Sequence, residues 1–377
     1  MRIGINALYL IPGRVGGSEI YLRNICKQFN ALAGAHDFVI FVNKESSGVF
    51  EAIAPRVRVV ECAVRAENRP ARILWEQFVL PFQTKGHRLD VLLSAGMTAP
   101  FICPVPSYVM IYDLQHVNMP RNFSWWYLLF LKGIIYLSAK SADGILTLSE
   151  KSKNDIIRHY GIKGEKITVT YLAADGNVFF RRAPEEAAAV RKKYNLPERF
   201  ILYIASSLPH KNYGRLLEAY KRVKEKEAGV KLVLIGARDY GFEAIEKKIA
   251  ALGLGKGVVF LGWLPFEDIP AIYSAAEVFV FPSLHEGFGI PVIEAFSCGA
   301  PVVCSKVEPV GEVAGGAALL VDPLDTDEMA GRILEVLRDA ELREKLIRDG
   351  FTRAAEFSWE KTARDTLSAI NVFYSAR

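Results

Sequence analysis

The sequence predicts an α/β protein made of two doubly wound domains, each with a parallel sheet between helices. Short apolar runs of strand character alternate with helical or irregular segments along the whole chain. At 377 residues, 51% hydrophobic and 24% charged, the chain is long enough for two cores. Several strand runs are followed by a small-residue loop and then a helix, the connection that places ligands at the carboxyl ends of strands.

Taken in order, Met1–Asn6 reads as a buried strand. Gly13-Arg14-Val15-Gly16-Gly17-Ser18-Glu19 then leads into a helix with Ile20, Ile25, Phe29 and Leu32 on one face. The G-x-G-x-x-G fingerprint of dinucleotide sites is absent, and a glycine pair alone is often only a turn. Further strand runs are expected at residues 38–42, 57–60, 91–93, 108–111, 144–148 and 167–171. Tyr112-Asp113-Leu114 follows one of these at its carboxyl end, and Ser149 is placed to cap the next helix. The stretch FSWWYLLFLKGIIYL from Phe123 to Leu137 spaces Trp126, Phe130, Ile134 and Leu137 helically. A core-facing helix is the expectation there, with contact to lipid as the alternative.

Residues 176–198, charged and alanine-rich, read as the crossing into the second domain. The strand 200–205 is followed by Ser206-Ser207-Leu208-Pro209-His210-Lys211-Asn212, which sets the Lys211 ammonium at a strand-to-helix turn, where it can meet a diphosphate. Strands follow at 231–235 and from Val258, the latter leading to Leu264. Glu277–Cys304 reads as strand, glycine-broken loop, short helix and strand, with Pro291 at the first helical position and Gly299 just past the helix end. Gly287 and Gly289 let the backbone approach a ligand, while Glu286 and Glu294 can accept hydrogen bonds from hydroxyls. Carboxylates flanking the free amides of a helix start suggest a sugar nucleotide, which has hydroxyls at both ends and a diphosphate between them. Asp325-Thr326-Asp327 imitates a metal-binding pair but opens a helix and is read as capping.

Composition narrows the partners. Five scattered cysteines without ligand spacing fit a reducing compartment and neither disulfides nor a metal centre. Neither a signal peptide nor an uncharged apolar run of about 18 residues is expected. The net charge of +5 is uneven: residues 1–175 carry 20 Lys and Arg against 14 Asp and Glu, whereas the remainder is nearly balanced. That mild excess is compatible with an anionic membrane surface facing the first half. No basic helix or aromatic-plus-basic sheet pattern points to nucleic acid.

The run Glu286-Gly287-Phe288-Gly289-Ile290-Pro291-Val292-Ile293-Glu294-Ala295 resembles, without departure, the E-G-F-G-x-P-x-x-E-A signature of the retaining glycosyltransferases of group 1, family 4. The resemblance covers nearly the full chain. It implies the GT-B fold, two Rossmann-like domains facing each other across a cleft. Residues 1–175 would bind acceptor and 176–357 the nucleotide sugar, while the helical tail 358–377 would pack back on the first domain. It further implies Glu286, Asp113 and Lys211 as catalytic groups. The donor would be held by Gly16, Gly17, Tyr112, Ser206, Lys211, Leu264, Glu286, Phe288, Gly289, Ile290 and Glu294. No cofactor or metal is implied. Two positions depart from the family pattern: Tyr112 stands where histidine is usual and Ser206 where arginine is frequent, with His116 and Arg238 as candidate substitutes. Arg72–Gln77 is similar to a stretch of the mannosyltransferase-like branch that builds bacterial surface polysaccharides. GDP-mannose is therefore the expected donor, ahead of UDP-sugars. The expected acceptor is a saccharide or a lipid-linked saccharide, the expected location the cytoplasm, with peripheral contact at the inner membrane left open. A nucleotide-sugar binding protein with impaired catalysis is the rival reading, motivated by Tyr112 and Ser206. A dehydrogenase is disfavoured by the missing fingerprint.

Overall fold

The computed structural model describes residues 1–14, 16–120, 123–238 and 241–374; Val15 of the glycine loop lies outside them. The chain divides into two compact units, Met1–Leu172 with the C-terminal helix from Trp359, and Ala173–Ser358. In the first, strands β1 (Arg2–Asn6), β2 (Asp37–Val42), β3 (Arg58–Glu61), β4 (Val91–Ser94), β5 (Ser107–Met110), β6 (Gly144–Thr147) and β7 (Ile167–Val169) form one parallel sheet. Their order is β3-β2-β1-β4-β5-β6-β7. In the second, β8 (Phe200–Ile204), β9 (Lys231–Ile235), β10 (Val258–Phe260), β11 (Val278–Phe281), β12 (Val302–Ser305) and β13 (Leu319–Val321) are likewise parallel, in the order β10-β9-β8-β11-β12-β13.

The two orders share one logic. Strand order reverses between β1 and β4 in the first unit and between β8 and β11 in the second, and each reversal opens a crevice at the strands' carboxyl ends. Strands β4, β5, β6, β11 and β12 are buried at every position, which is why their sequences are mostly apolar and show no polar alternation. The helix Trp359–Tyr374 belongs to the first unit: the Thr362 hydroxyl donates to the Tyr171 carbonyl at 2.6 Å, and the Trp359 ring lies 6.5 Å from that of Tyr21.

Several local expectations shift. The helix Gly17–Ala31 buries Tyr21, Leu22, Ile25, Cys26 and Phe29, so Ile25 and Phe29 face the core as expected, whereas Ile20 and Leu32 are exposed and Tyr21, Leu22 and Cys26 complete the inner face. Residues 125–141 form a helix whose buried stripe is Ile134, Ile135, Ser138 and Ala139; Trp126, Phe130 and Leu137 point to solvent, against the core-facing expectation. The small members Ser138 and Ala139 take inner positions, where Ser138 Oγ accepts from the Ala99 amide at 3.1 Å. Pro291 is the second residue of its helix. The crossing segment holds a helix of its own, Pro184–Tyr194. Asp325 caps the helix Thr326–Arg338 by accepting from the Asp327 and Glu328 amides, and Ser149 caps Glu150–Tyr160.

Candidate active site

In the second unit three loops meet at the β8/β11 reversal. The loop after β8 is held by Asn212, buried in a left-handed turn, whose amide donates to the Pro282 and Pro323 carbonyls at 3.0 and 2.7 Å. Tyr213 donates its hydroxyl to the Ala205 carbonyl at 2.8 Å, closing the same loop. Lys211 is thereby fixed beside the loop after β11, where its Nζ lies 2.6 Å from Glu286 Oε1 and 5.7 Å from the Phe281 ring centre. Both members of this ion pair are largely buried, with side chains 16% and 12% exposed.

Gly289, at φ +117°, turns the chain into the helix Ile290–Ser297, a conformation that a side chain would strain. One turn in, Glu294 faces the Tyr273 hydroxyl, which donates to its Oε2 at 3.3 Å. Burial pushes the Glu294 carboxyl up to about 7, the Tyr273 hydrogen bond only partly opposing it. The cavity below the loops, about 390 Å³, is lined by Ser206, Lys211, Leu264 and Glu294 among the predicted residues. Phe179, Trp263 and Phe266, which the sequence reading gave no binding role, line it too. Trp263 is exposed and Phe266 half-exposed, so both offer open aromatic surface to a planar ligand. Outward aromatics in the loop after a strand were the available signal. Phe288 is buried edge-on against Phe357, at 6.0 Å, and does not line the cavity. Arg238 does not line it either: its guanidinium packs over the Phe242 and Phe260 rings. His210, next to Lys211, is buried and held neutral, its pKa lowered to about 4 by desolvation.

In the first unit the β1/β4 reversal carries a second polar cluster. Gly16, at φ +59°, starts the helix Gly17–Ala31. The Tyr9 hydroxyl donates to the Ser18 carbonyl at 2.9 Å, and the Tyr112 hydroxyl, 3.3 Å from it, donates to the Ala95 carbonyl at 2.8 Å. Gly96 permits this packing, since a Cβ there would sit 2.5 Å from the Tyr9 ring. Burial drives the Tyr112 phenol well above its ordinary pKa. Tyr112 is thus a neutral brace between the glycine loop and β4. Asp113 Oδ1 accepts from the Gln115 amide at 3.0 Å. His116 is buried, 2.9 Å from the Tyr160 hydroxyl, with its pKa lowered to about 4 by desolvation, so it is core rather than a substitute for the missing histidine. Asn6 and Glu76 were overlooked: at the end of β1 the Asn6 amide donates to the buried Glu76 carboxylate at 2.9 Å and to Ser94 Oγ at 3.3 Å. A polar residue closing an apolar strand was the available signal.

Two family models match, one to each part of the chain: that of Glycosyltransferase Family 4 over residues 15–176 and that of Glycosyl transferases group 1 over residues 186–353. The chain is 37% identical over 246 residues to the O-antigen chain mannosyltransferase B of Escherichia coli, a match covering 64% of this chain and 64% of that relative, less than two thirds of its length. Among solved structures, sucrose-phosphate synthase from Thermosynechococcus elongatus aligns over 100% of both chains with a TM-score of 0.80 and 20% identity. Anabaena HepE in complex with UDP and glucose aligns over 98% of this chain and 99% of that one, with a TM-score of 0.77 and 20% identity. These structural likenesses are likenesses of fold.

Proposed function

The chain belongs to the glycosyl transferases of group 1 and has their GT-B fold of two parallel-sheet α/β domains, and from that premise we propose that it is a retaining, metal-independent mannosyltransferase. It moves mannose from GDP-mannose to a saccharide or lipid-linked saccharide in surface polysaccharide synthesis at the cytoplasmic membrane face. The observation that carries the reading is the convergence of Lys211, Glu286 and Glu294 on the loops of one strand-order reversal, two of the three lining a single cavity. Mannosyl transfer rests on the likeness to the E. coli enzyme.

The chemistry follows from the groups present. Departure of the diphosphate breaks the bond from the sugar's anomeric carbon to the phosphate oxygen and leaves negative charge on that oxygen. Lys211 and the free amides at the start of the helix Ile290–Ser297 meet that charge, and they favour the transition state more than the bound donor. The acceptor hydroxyl forms the new bond on the same face and gives its proton to the departing phosphate. Glu286, held by Lys211, positions the donor sugar's hydroxyls, and Glu294 holds the ribose pair. Trp263, Leu264 and Phe266 supply apolar surface for the base. Lys211 and the helix start take the part that a divalent cation plays in other phosphate chemistry.

A UDP-sugar donor is the second reading, favoured by the likeness to a protein solved with UDP and glucose. Thermal stability against a panel of nucleotide sugars separates them, since a ligand at about a hundred times its dissociation constant adds roughly 2.7 kcal/mol. The site assignment is tested by paired variants. Glu294→Ala should weaken every ribonucleotide, whereas Glu286→Ala should spare free GDP and hurt GDP-mannose; equal losses for both ligands in both variants would refute it.

A further inference from the structure

The first unit carries an apolar surface that nothing among its described residues covers. The outer side of the helix Trp125–Ser141 exposes Trp126 (68%), Leu129, Phe130 and Leu137. Beside it, the helices Arg69–Phe78 and Leu80–Gly86 expose Leu74, Phe78 (67%) and Phe82 (76%). The two groups adjoin. The Arg69 guanidinium lies 5.1 Å from the Tyr127 ring centre, and Ile73 packs into the same core cluster as Leu131 and Ile134. A helix apolar on all sides belongs in a core or against an apolar partner, and this one has only half of its circumference in a core.

The charges around the surface have one sign. The helix Trp125–Ser141 contains Lys132 and Lys140 and no acid. In residues 69–86 Arg69 and Lys85 are exposed, whereas Arg72 is largely buried and lies 3.8 Å from Glu76, the single acid, which is itself buried in the bond to Asn6. Exposed aromatic and aliphatic bulk rimmed by exposed lysine and arginine complements an apolar layer with negative headgroups. A second copy docking through the same face would bring like charges together, which argues against self-association.

We propose that this face of the first unit seats on an anionic lipid bilayer. It deepens the lipid-linked acceptor reading above and draws its purpose from it, but its test needs no nucleotide, sugar or acceptor. The full chain is sedimented with vesicles of phosphatidylcholine alone and of phosphatidylcholine with phosphatidylglycerol. It should pellet with the anionic vesicles, and less so as salt is raised. Trp126→Ser with Phe130→Ser should lower partition about tenfold or more by removing buried apolar area. Lys132→Glu with Lys85→Glu should abolish the preference for phosphatidylglycerol. All of these side chains are exposed, so both variants should melt as the parent does and keep its thermal response to nucleotide, which reads the second unit's site separately. A parent chain that stays in the supernatant with both vesicles, or variants that partition as it does, would overturn the proposal. A lipid-free dimer dissolved by Trp126→Ser with Phe130→Ser would overturn it in favour of an interface between copies.

Discussion

Glu294→Gln gives the sharpest test of the buried carboxyl beside Tyr273, because burial sets the sign of its effect and an order of magnitude for its size. Burial raises the carboxyl from the usual 4.5 to about 7 in the folded chain. Above pH 7 the folded chain must hold a carboxylate that it solvates worse than the unfolded chain does, at a cost of about 3 kcal/mol. That cost is absent below the unfolded value near 4.5 and grows to its full size as pH rises through 7. Glutamine keeps an acceptor for the Tyr273 hydroxyl but never charges. At pH 8, without ligand, the variant should melt about 6–12 °C above the parent, at about 2–4 °C per kcal/mol for a unit of this size. Near pH 4.5 the two should melt together. Circular dichroism melts at the two pH values suffice. Equal melting at pH 8, or the same gain at both pH values, would refute the buried-carboxylate reasoning. The same logic predicts that ribonucleotide affinity of the parent rises with pH up to about 7 and then levels, since two ribose hydroxyls need the carboxylate as acceptor.

Lys211→Met should lower sugar transfer by about a hundredfold to a thousandfold, the usual loss on removing one preorganised donor to developing negative charge. It should also weaken GDP more than guanosine in calorimetry; unchanged GDP affinity would remove Lys211 from the diphosphate. Gly299→Ala should cost about 1–3 kcal/mol in urea unfolding, because Gly299 sits at φ +74° and its Cβ would lie 2.9 Å from the Phe351 ring. Tyr112→Phe removes the hydrogen bond to Ala95 and should cost about 1 kcal/mol in the same assay. Tyr112→His with unchanged or higher transfer would show that the tyrosine is a brace and carries no chemistry of its own.

The legible parts of this molecule are those in which one residue's local chemistry decides. Val278–Phe281 and Val302–Ser305 are strands buried on both faces, so their apolar runs need no partner to be recognised, and Gly299 marks a helix end by its own backbone. Glu286 and Glu294 were findable because glycines and a helix start surround them. What the sequence hid depends on distant partners. Trp126 and Phe130 have the spacing of a core stripe, and only the packing of Ser138 against Ala99 reveals that the stripe next to it is the buried one. His116 sits three residues after Asp113, in the loop that follows a strand, as a site histidine would, yet the hydroxyl that claims it belongs to Tyr160, 44 positions on. Arg238 follows a strand as a phosphate cation would, but the Phe242 and Phe260 rings hold it.

The proposed donor site is not a set of waiting charges, and this bears on how it would discriminate. With Lys211 already 2.6 Å from Glu286, a free anion gains little from the ammonium unless it brings something for the carboxylate as well. A lone phosphate would compete with Glu286 for the same cation and sit beside a like charge. A nucleotide sugar serves both: its diphosphate takes the remaining protons of the ammonium, which has three donors, while sugar hydroxyls donate to the carboxylate. Glu294 adds a further condition, since its proton must leave before the ribose hydroxyls can both be accepted. In the proposed assignment the pair and the buried carboxyl together would select a ligand that is anionic in the middle and hydroxylated at both ends, and would disfavour ligands that offer only one of the three features.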